Sequence, residues 1–477
     1  MTGDRDLLEL KEIGWRSSRH ESSSSDWPMP RRAARAGSEA PLEQLIAGLT
    51  VEELREVGSA AVDRHADVER QLRLIAARGA GDLAQLRAEV DRGLRTRRFP
   101  DYGESAGWAR AGRPIVAELE KAVDEAPSRE LVGLLQRAVG HVVTVIMHAD
   151  DSDGLIGDLA RDLLALHARA CDAGVADPVE LAAWMVRFGF DDQDFFEVDP
   201  VRYASALGEA GVAAYRDAVD ARRGGDSFAV GYARERLAIL DRDIDALVRL
   251  LGGDPTTPYQ FIRVAEAMRE LGLDDEALAW ATRGIAQTSG WQVSQLYDLA
   301  CGVHDARQEP LEVLALRRAQ HERMPSSSTY RALRAAAEAL DAWPLEQEAA
   351  RTTLQRADPR GFVDALLGDG ELGLAWSAAV AAPPDMLGSD LWLRLAESSE
   401  RDRPADALAV YQRIADEVLE RADRRAYRSA ARILQRAQAA AQAAGELDTF
   451  AEYLTRLRER HRRRPTLIAI LDKANLR

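Results

Sequence analysis

Lysine is nearly missing from this chain of 477 residues: it occurs only as Lys11, Lys121 and Lys473. None follows a glycine, so no Gly-Lys pair is present to close a Walker-type phosphate loop, and few residues remain for Schiff-base chemistry. Cysteine is scarcer still, with Cys171 and Cys301 alone. Two thiols build neither a disulfide framework nor a zinc site of three or four cysteines. Gly-x-Ser-x-Gly, His-Glu-x-x-His and the dinucleotide-binding glycine pattern are all absent. No apolar run nears the length of a membrane span and no leader pattern opens the sequence. The expectation is a reducing cytoplasm and no membrane partner.

The chain is rich in Ala, Leu, Arg and Glu. Hydrophobic residues make up 46% of it, but aromatics only 6%. Such side chains lose little rotamer freedom in a helix, so the composition predicts an all-α protein. The length exceeds one ordinary core and calls for several domains or a repeat array. Sixty-three basic against 79 acidic residues give a charge of −16. That field disfavours non-specific binding of nucleic acid by the chain as a whole.

Residues 1–40 mix a serine run, prolines and both charge signs without periodicity, with Trp27 as the one anchor, and read as poorly ordered. A helical domain is expected over 41–225. Thr50 with Glu53 forms a capping box, and Asp82 caps the helix that follows it. The apolar stretch "LVGLLQRAVGHVVTVIM" reads as helix, although Val142–Ile146 is β-branched enough for a strand. Asp177-Pro178 and Asp199-Pro200 both read as helix starts. "RRGGDS" at 222–227 is the expected boundary to a second domain, 226–477. There Phe261, Val264, Ala265 and Met268 share one helix face, and Gly272 breaks it. Further second helices are predicted at 311–319, 372–380, 405–414 and 450–461. Trp280 to Leu316 and Trp376 to Tyr411 are each separated by about 35 residues, the period of helix–turn–helix repeats. "LGLDDEALAWATRGI" looks like the centre of a tetratricopeptide unit, so the region is expected to be a TPR-like solenoid.

"LRTRRFPDY", "DDSDGLIGDLARDLLALHARAC", "RFGFDDQDFFEVDP", "LGLDDEALAWATRGI" and "HRRRPTLIAILDKANL" carry a wider resemblance. Together they resemble the region downstream of the zinc finger in actinobacterial SWIM zinc-finger family proteins. The resemblance implies a helical protein attached to a small zinc module that contacts DNA or other proteins. The module's own Cys-x-Cys and Cys-x-His ligands map onto no residue of this sequence.

Two acidic stretches and two basic ones carry the remaining chemistry. "HADDSDGLIGDLA" fails as an EF-hand: with Gly154 sixth, positions one and twelve would be Ala149 and Ala160. His148, Asp150, Asp151 and Asp153 would instead have to meet Asp191, Asp192 and Asp194, beside Glu197 and Asp199, to attract a divalent cation. The reading preferred over that metal site is helix capping and solvated charge, with Asp158 and Asp162 in a first helical turn. His167 and Cys171 sit at core spacing and read as packed. Asp226 and Ser227 of "GGDSFA" read as an N-cap rather than a nucleophile motif. Arg456, Arg458, Arg460, Arg462, Arg463 and Arg464 crowd one short stretch, and Arg92, Arg95, Arg97 and Arg98 form a smaller cluster. Arg456, Arg460, Arg462, Arg463 and Arg464 are the candidates for contact with a partner, with an acidic surface favoured over a nucleic-acid backbone. The expected function is a non-catalytic scaffold for protein–protein interaction with no cofactor and no catalytic residue. The alternatives are a metal-dependent enzyme built on the acidic loops and a nucleic-acid-associated accessory protein using the C-terminal arginines.

Overall fold

A computed structural model describes residues 42–96, 101–222, 228–383 and 386–476. Among them the chain is all-α, with no strand. It divides into two compact units, one of residues 1–121 with 149–159 and one of 122–148 with 160–477.

The first unit contains α1 (Leu42–Ala47), α2 (Val51–Val62), α3 (Ala66–Gly79), α4 (Leu83–Leu94) and most of α5 (Tyr102–Glu125). The capping box at Thr50 is formed, and Asp82 accepts from Gln85 N at 2.9 Å. Leu74, Leu86, Val90, Leu94, Ile115 and Leu119 are buried. Glu118 is buried with them, held by Arg78 at 2.7 Å and Lys121 at 2.7 Å. Burial alone would raise this carboxyl, but the two cations outweigh it and keep it below its ordinary value.

The second unit begins with α6 (Arg129–Ile146), α7 (Leu155–Ala170, entering from the first unit), α8 (Pro178–Arg187) and α9 (Ala204–Asp220). Val142–Ile146 is helix, not strand, because the whole apolar face of α6 is buried at helical spacing. Asp177 caps α8 with Pro178 at its first position. Asp199-Pro200 opens only a short 3-10 turn, Pro200–Tyr203, before α9 begins. Two π-helical turns, Cys171–Val175 and Phe188–Asp192, end α7 and α8; neither has a plain periodic signature.

The repeat array follows. Its first helices are α10 (Phe228–Asp241), α11 (Ile244–Leu251), α12 (Pro258–Glu270), α13 (Asp274–Gln287), α14 (Val293–Ala306) and α15 (Pro310–Arg323). Next come α16 (Ser327–Glu338), α17 (Trp343–Ala357), α18 (Pro359–Gly368), α19 (Leu372–Ala381) and α20 (Gly388–Ser399). It ends with α21 (Pro404–Leu419), α22 (Arg424–Ala444), α23 (Leu447–Arg460) and α24 (Pro465–Lys473). From α10 to α23 each helix packs on the next, and α10 also meets α9. α12 meets α14, α16 meets α18 and α18 meets α20, one layer of a helical-repeat solenoid, while α15 meets α17 in the other. Trp280 and Leu316 pack against one apolar cluster, and Trp376 and Tyr411 lie within another, so the repeat spacing marks equivalent core positions. At Gly284 a Cβ would stand 2.7 Å from Phe261 and 2.8 Å from Leu296, so glycine lets three helices approach closely. The expected boundary at 222–227 falls mostly on residues outside the described ones. The helices on either side, α9 and α10, belong to one unit.

Candidate functional site

Several carboxylates of the acidic loops are engaged by backbone amides or arginines. Asp151 turns both carboxylate oxygens onto the start of α7, accepting from Ile156 N at 2.9 Å and Gly157 N at 2.8 Å. Gly154, at φ +73°, makes the bend that brings those amides round. Asp150 accepts from Ser152 N at 3.2 Å, Asp153 is exposed, and His148 follows the last turn of α6. In the second loop Arg222 grips Asp191 with two parallel bonds of 2.6 and 2.7 Å and lies over the Phe190 ring. That guanidinium holds the Asp191 carboxyl below its ordinary value. Asp192 stands 3.7 Å from Arg187, and Asp194 is exposed. Asp199 caps the 3-10 turn and binds Arg236, which also pairs with Glu270. The two loops belong to different units. Among the described residues no group of three His, Cys, Asp or Glu side chains is placed to hold a metal ion.

The C-terminal arginines divide into two kinds. Arg458 donates to Leu476 O at 2.9 Å and to Asp472 at 2.7 Å, tying α23 to α24. Arg464 reaches Leu419 O at 2.6 Å, Arg460 stands 3.3 Å from Asp416, and Arg462 pairs with Glu459 one turn back. Arg456 and Arg463 are exposed, with no ion pair among the described residues. In the smaller cluster Arg92 pairs with buried Glu89, Arg95 ends α4, and Arg97 and Arg98 lie outside the described residues. Trp27, Asp226 and Ser227 lie outside them too.

Sequence reasoning missed a third basic group. Arg421, Arg424, Arg425, Arg428 and Arg432 are exposed on and just before α22, and none has an ion pair among the described residues. The signal was readable: Arg424 to Ala444 contains no acidic residue. Arg424, Arg428 and Gln435 of α22, with Ile470, Lys473 and Ala474, line a cleft of about 330 Å³.

The buried histidines are structural. His167 is enclosed, with Tyr203 Oη 2.9 Å from Nδ1, Gln136 Nε2 3.2 Å from Nε2, and the Trp184 ring against it. Burial pushes its ring down to about 3. Cys171 Sγ lies 3.7 Å from the same ring, but burial pushes that thiol up to about 12, so no thiolate forms near neutrality. His321 is held by Thr329 Oγ1 and Ala350 O, each at 3.0 Å. A catalytic pair needs an accessible base, and both of these rings are buried.

No family model matches the chain, and no curated protein does. One similar solved structure is a circular tandem repeat protein with a novel repeat topology and enhanced subunit contact surfaces. It is 15% identical over 86% of this chain and 99% of its own, at a TM-score of 0.19. That superposition is loose, and the architecture described above rests on this chain's own helices.

Proposed function

We propose that this protein is a non-catalytic helical-repeat scaffold that binds other proteins. The observation supporting it is the stacked array from α10 onward, in which buried tyrosines are bonded to charged side chains of neighbouring helices. Tyr330 donates to Asp369 at 2.7 Å, and Arg351 reaches both of them. Tyr411 and Arg436 meet on Glu400 in the same manner. Such groups fix the stack and leave its exterior for recognition. The proposed relationship is to the helical region of SWIM zinc-finger family proteins, on the five stretches named above. A cytoplasmic location suits the two buried thiols, and no helix among the described residues is long and apolar enough to cross a membrane.

Affinity capture of the intact chain from its native cell, with cross-linking and mass spectrometry, is the test. The expected result is a reproducible protein partner cross-linked to repeat helices. Turnover of a small molecule, abolished by a single substitution at an acidic or histidine residue, would overturn the reading.

A further inference from the structure

Helix α22 holds a charge arrangement that does not serve the isolated fold. Arg424 and Arg425 occupy its first turn, where the helix dipole favours anions. The one acid there is Asp423, and it is engaged as the N-cap, accepting from Ala426 N at 2.8 Å. Arg424, Arg428 and Arg432 follow at successive turns, and Arg421, Arg425, Arg428 and Arg432 trace a neighbouring stripe. Like charges one turn apart repel. Arg436, one turn further along, is by contrast paired with Glu397 and Glu400. The stretch without ion pairs among the described residues therefore ends before Arg436, and two of its arginines, Arg424 and Arg428, line the cleft beside α24.

The cleft between α22 and α24 is more than a charged surface: the apolar side chains of Ile470 and Ala474 line it together with the cations of Arg424, Arg428 and Lys473. Gln435 donates to Ala474 O at 3.3 Å, joining its two walls. We propose that this cleft docks an acidic protein segment in which an aliphatic side chain stands between carboxylates. The carboxylates meet Arg424, Arg428 and Lys473, and the aliphatic group meets Ile470 and Ala474. The inference rests on the scaffold reading and names the chemistry of one partner. Two considerations favour a peptide over a nucleic-acid backbone. Phosphates gain nothing from an apolar lining. The single aromatic of α22, Tyr427, is buried and offers no base a stacking surface.

The test is fluorescence anisotropy with the full chain and a labelled peptide that alternates glutamates with leucines. The expected binding weakens with salt, and it falls by about tenfold in the double variant Arg424→Glu, Arg428→Glu, since two exposed charge contacts are together worth roughly that factor. Reversal at Arg424 agrees with the helix dipole, so circular dichroism should be unchanged. The control Arg456→Glu, Arg463→Glu should bind as the parent does. A peptide of glutamates without leucines should bind more weakly. Three results overturn the proposal: no binding of the leucine-bearing peptide, an unchanged affinity in the double variant, or tighter retention of a random DNA duplex. If native protein partners are still captured in any of those cases, the scaffold reading stands and this docking site alone fails.

Discussion

Two glycines in helices should respond to the same substitution with opposite sign. Gly284→Ala drives a methyl into Phe261 and Leu296, and overpacking of this kind costs about 1–3 kcal/mol. Gly140 is exposed within α6, and nothing lies within 4 Å of a Cβ there. Gly140→Ala should stabilise by roughly 0.5–1 kcal/mol through backbone entropy alone. Hydrogen exchange should show lost protection in α12–α14 for the first variant and a gain in α6 for the second; equal effects would contradict the packing described. His167 makes a prediction about pH. Its ring titrates near 3 in the folded state against an ordinary 6.5. The unfolded chain therefore takes up a proton that the folded chain refuses. Stability is whole above 6.5 and declines as pH falls toward 3, at about 1.4 kcal/mol per unit. His321 is shifted downward as well, so it adds to the same trend. In His167→Gln the urea midpoint should fall less steeply between about pH 6 and 4.5. An unchanged slope would show that His167 is not buried as a neutral ring.

At the scale of elements, the end of the array depends on α24. Leu467, Leu471 and Leu476 are fully buried, and Arg458 and Arg464 bind the segment on either side. Arg464→Glu should loosen α24 and the last turn of α21, read as faster amide exchange there, while Arg463→Glu should leave both unchanged. Equal loosening by the two variants would mean that the basic run acts as diffuse charge. Much of this level was legible beforehand. The caps at Thr50, Asp82 and Asp177 involve residues two or three positions apart, so local sequence carries them. The amphipathic second helices were equally plain from their periodicity. The long-range arginine pairs were not. Arg334 and Arg351 meet Asp369 from two other helices, and Arg436 meets Glu400 from a third. Charge density is highest at 456–464, where Arg458, Arg460, Arg462 and Arg464 are engaged. The open arginines of α22 are sparser in sequence and stand out only once the pairs of the others are known. The π-helical turns and the 3-10 turn after Asp199 were hidden for a related reason, since tertiary packing overrides the local pattern there.

For the whole molecule, the acidic loops and the repeats make separate predictions. With Asp151, Asp191 and Asp199 already bound to amides or arginines, added Mg²⁺, Mn²⁺ or Ca²⁺ should leave the thermal transition where it is. A saturable rise in Tm with any of these ions would revive the metal-dependent alternative, because a ligand bound only by the folded state stabilises it by mass action. Each helix of the array touches mainly the next and the next but one. Stability is then a sum of neighbour terms rather than one cooperative quantity. Hydrogen exchange should give different opening energies for separate helix pairs. One global value throughout would refute that. The same neighbour-only packing gives the array a mechanical character. Pulled from its ends, it has no single lock to break, so it should yield pair by pair at low force. Each step would release roughly 35 residues of slack, at about 3.5 Å per residue, and the array should rewind as readily when the load is removed.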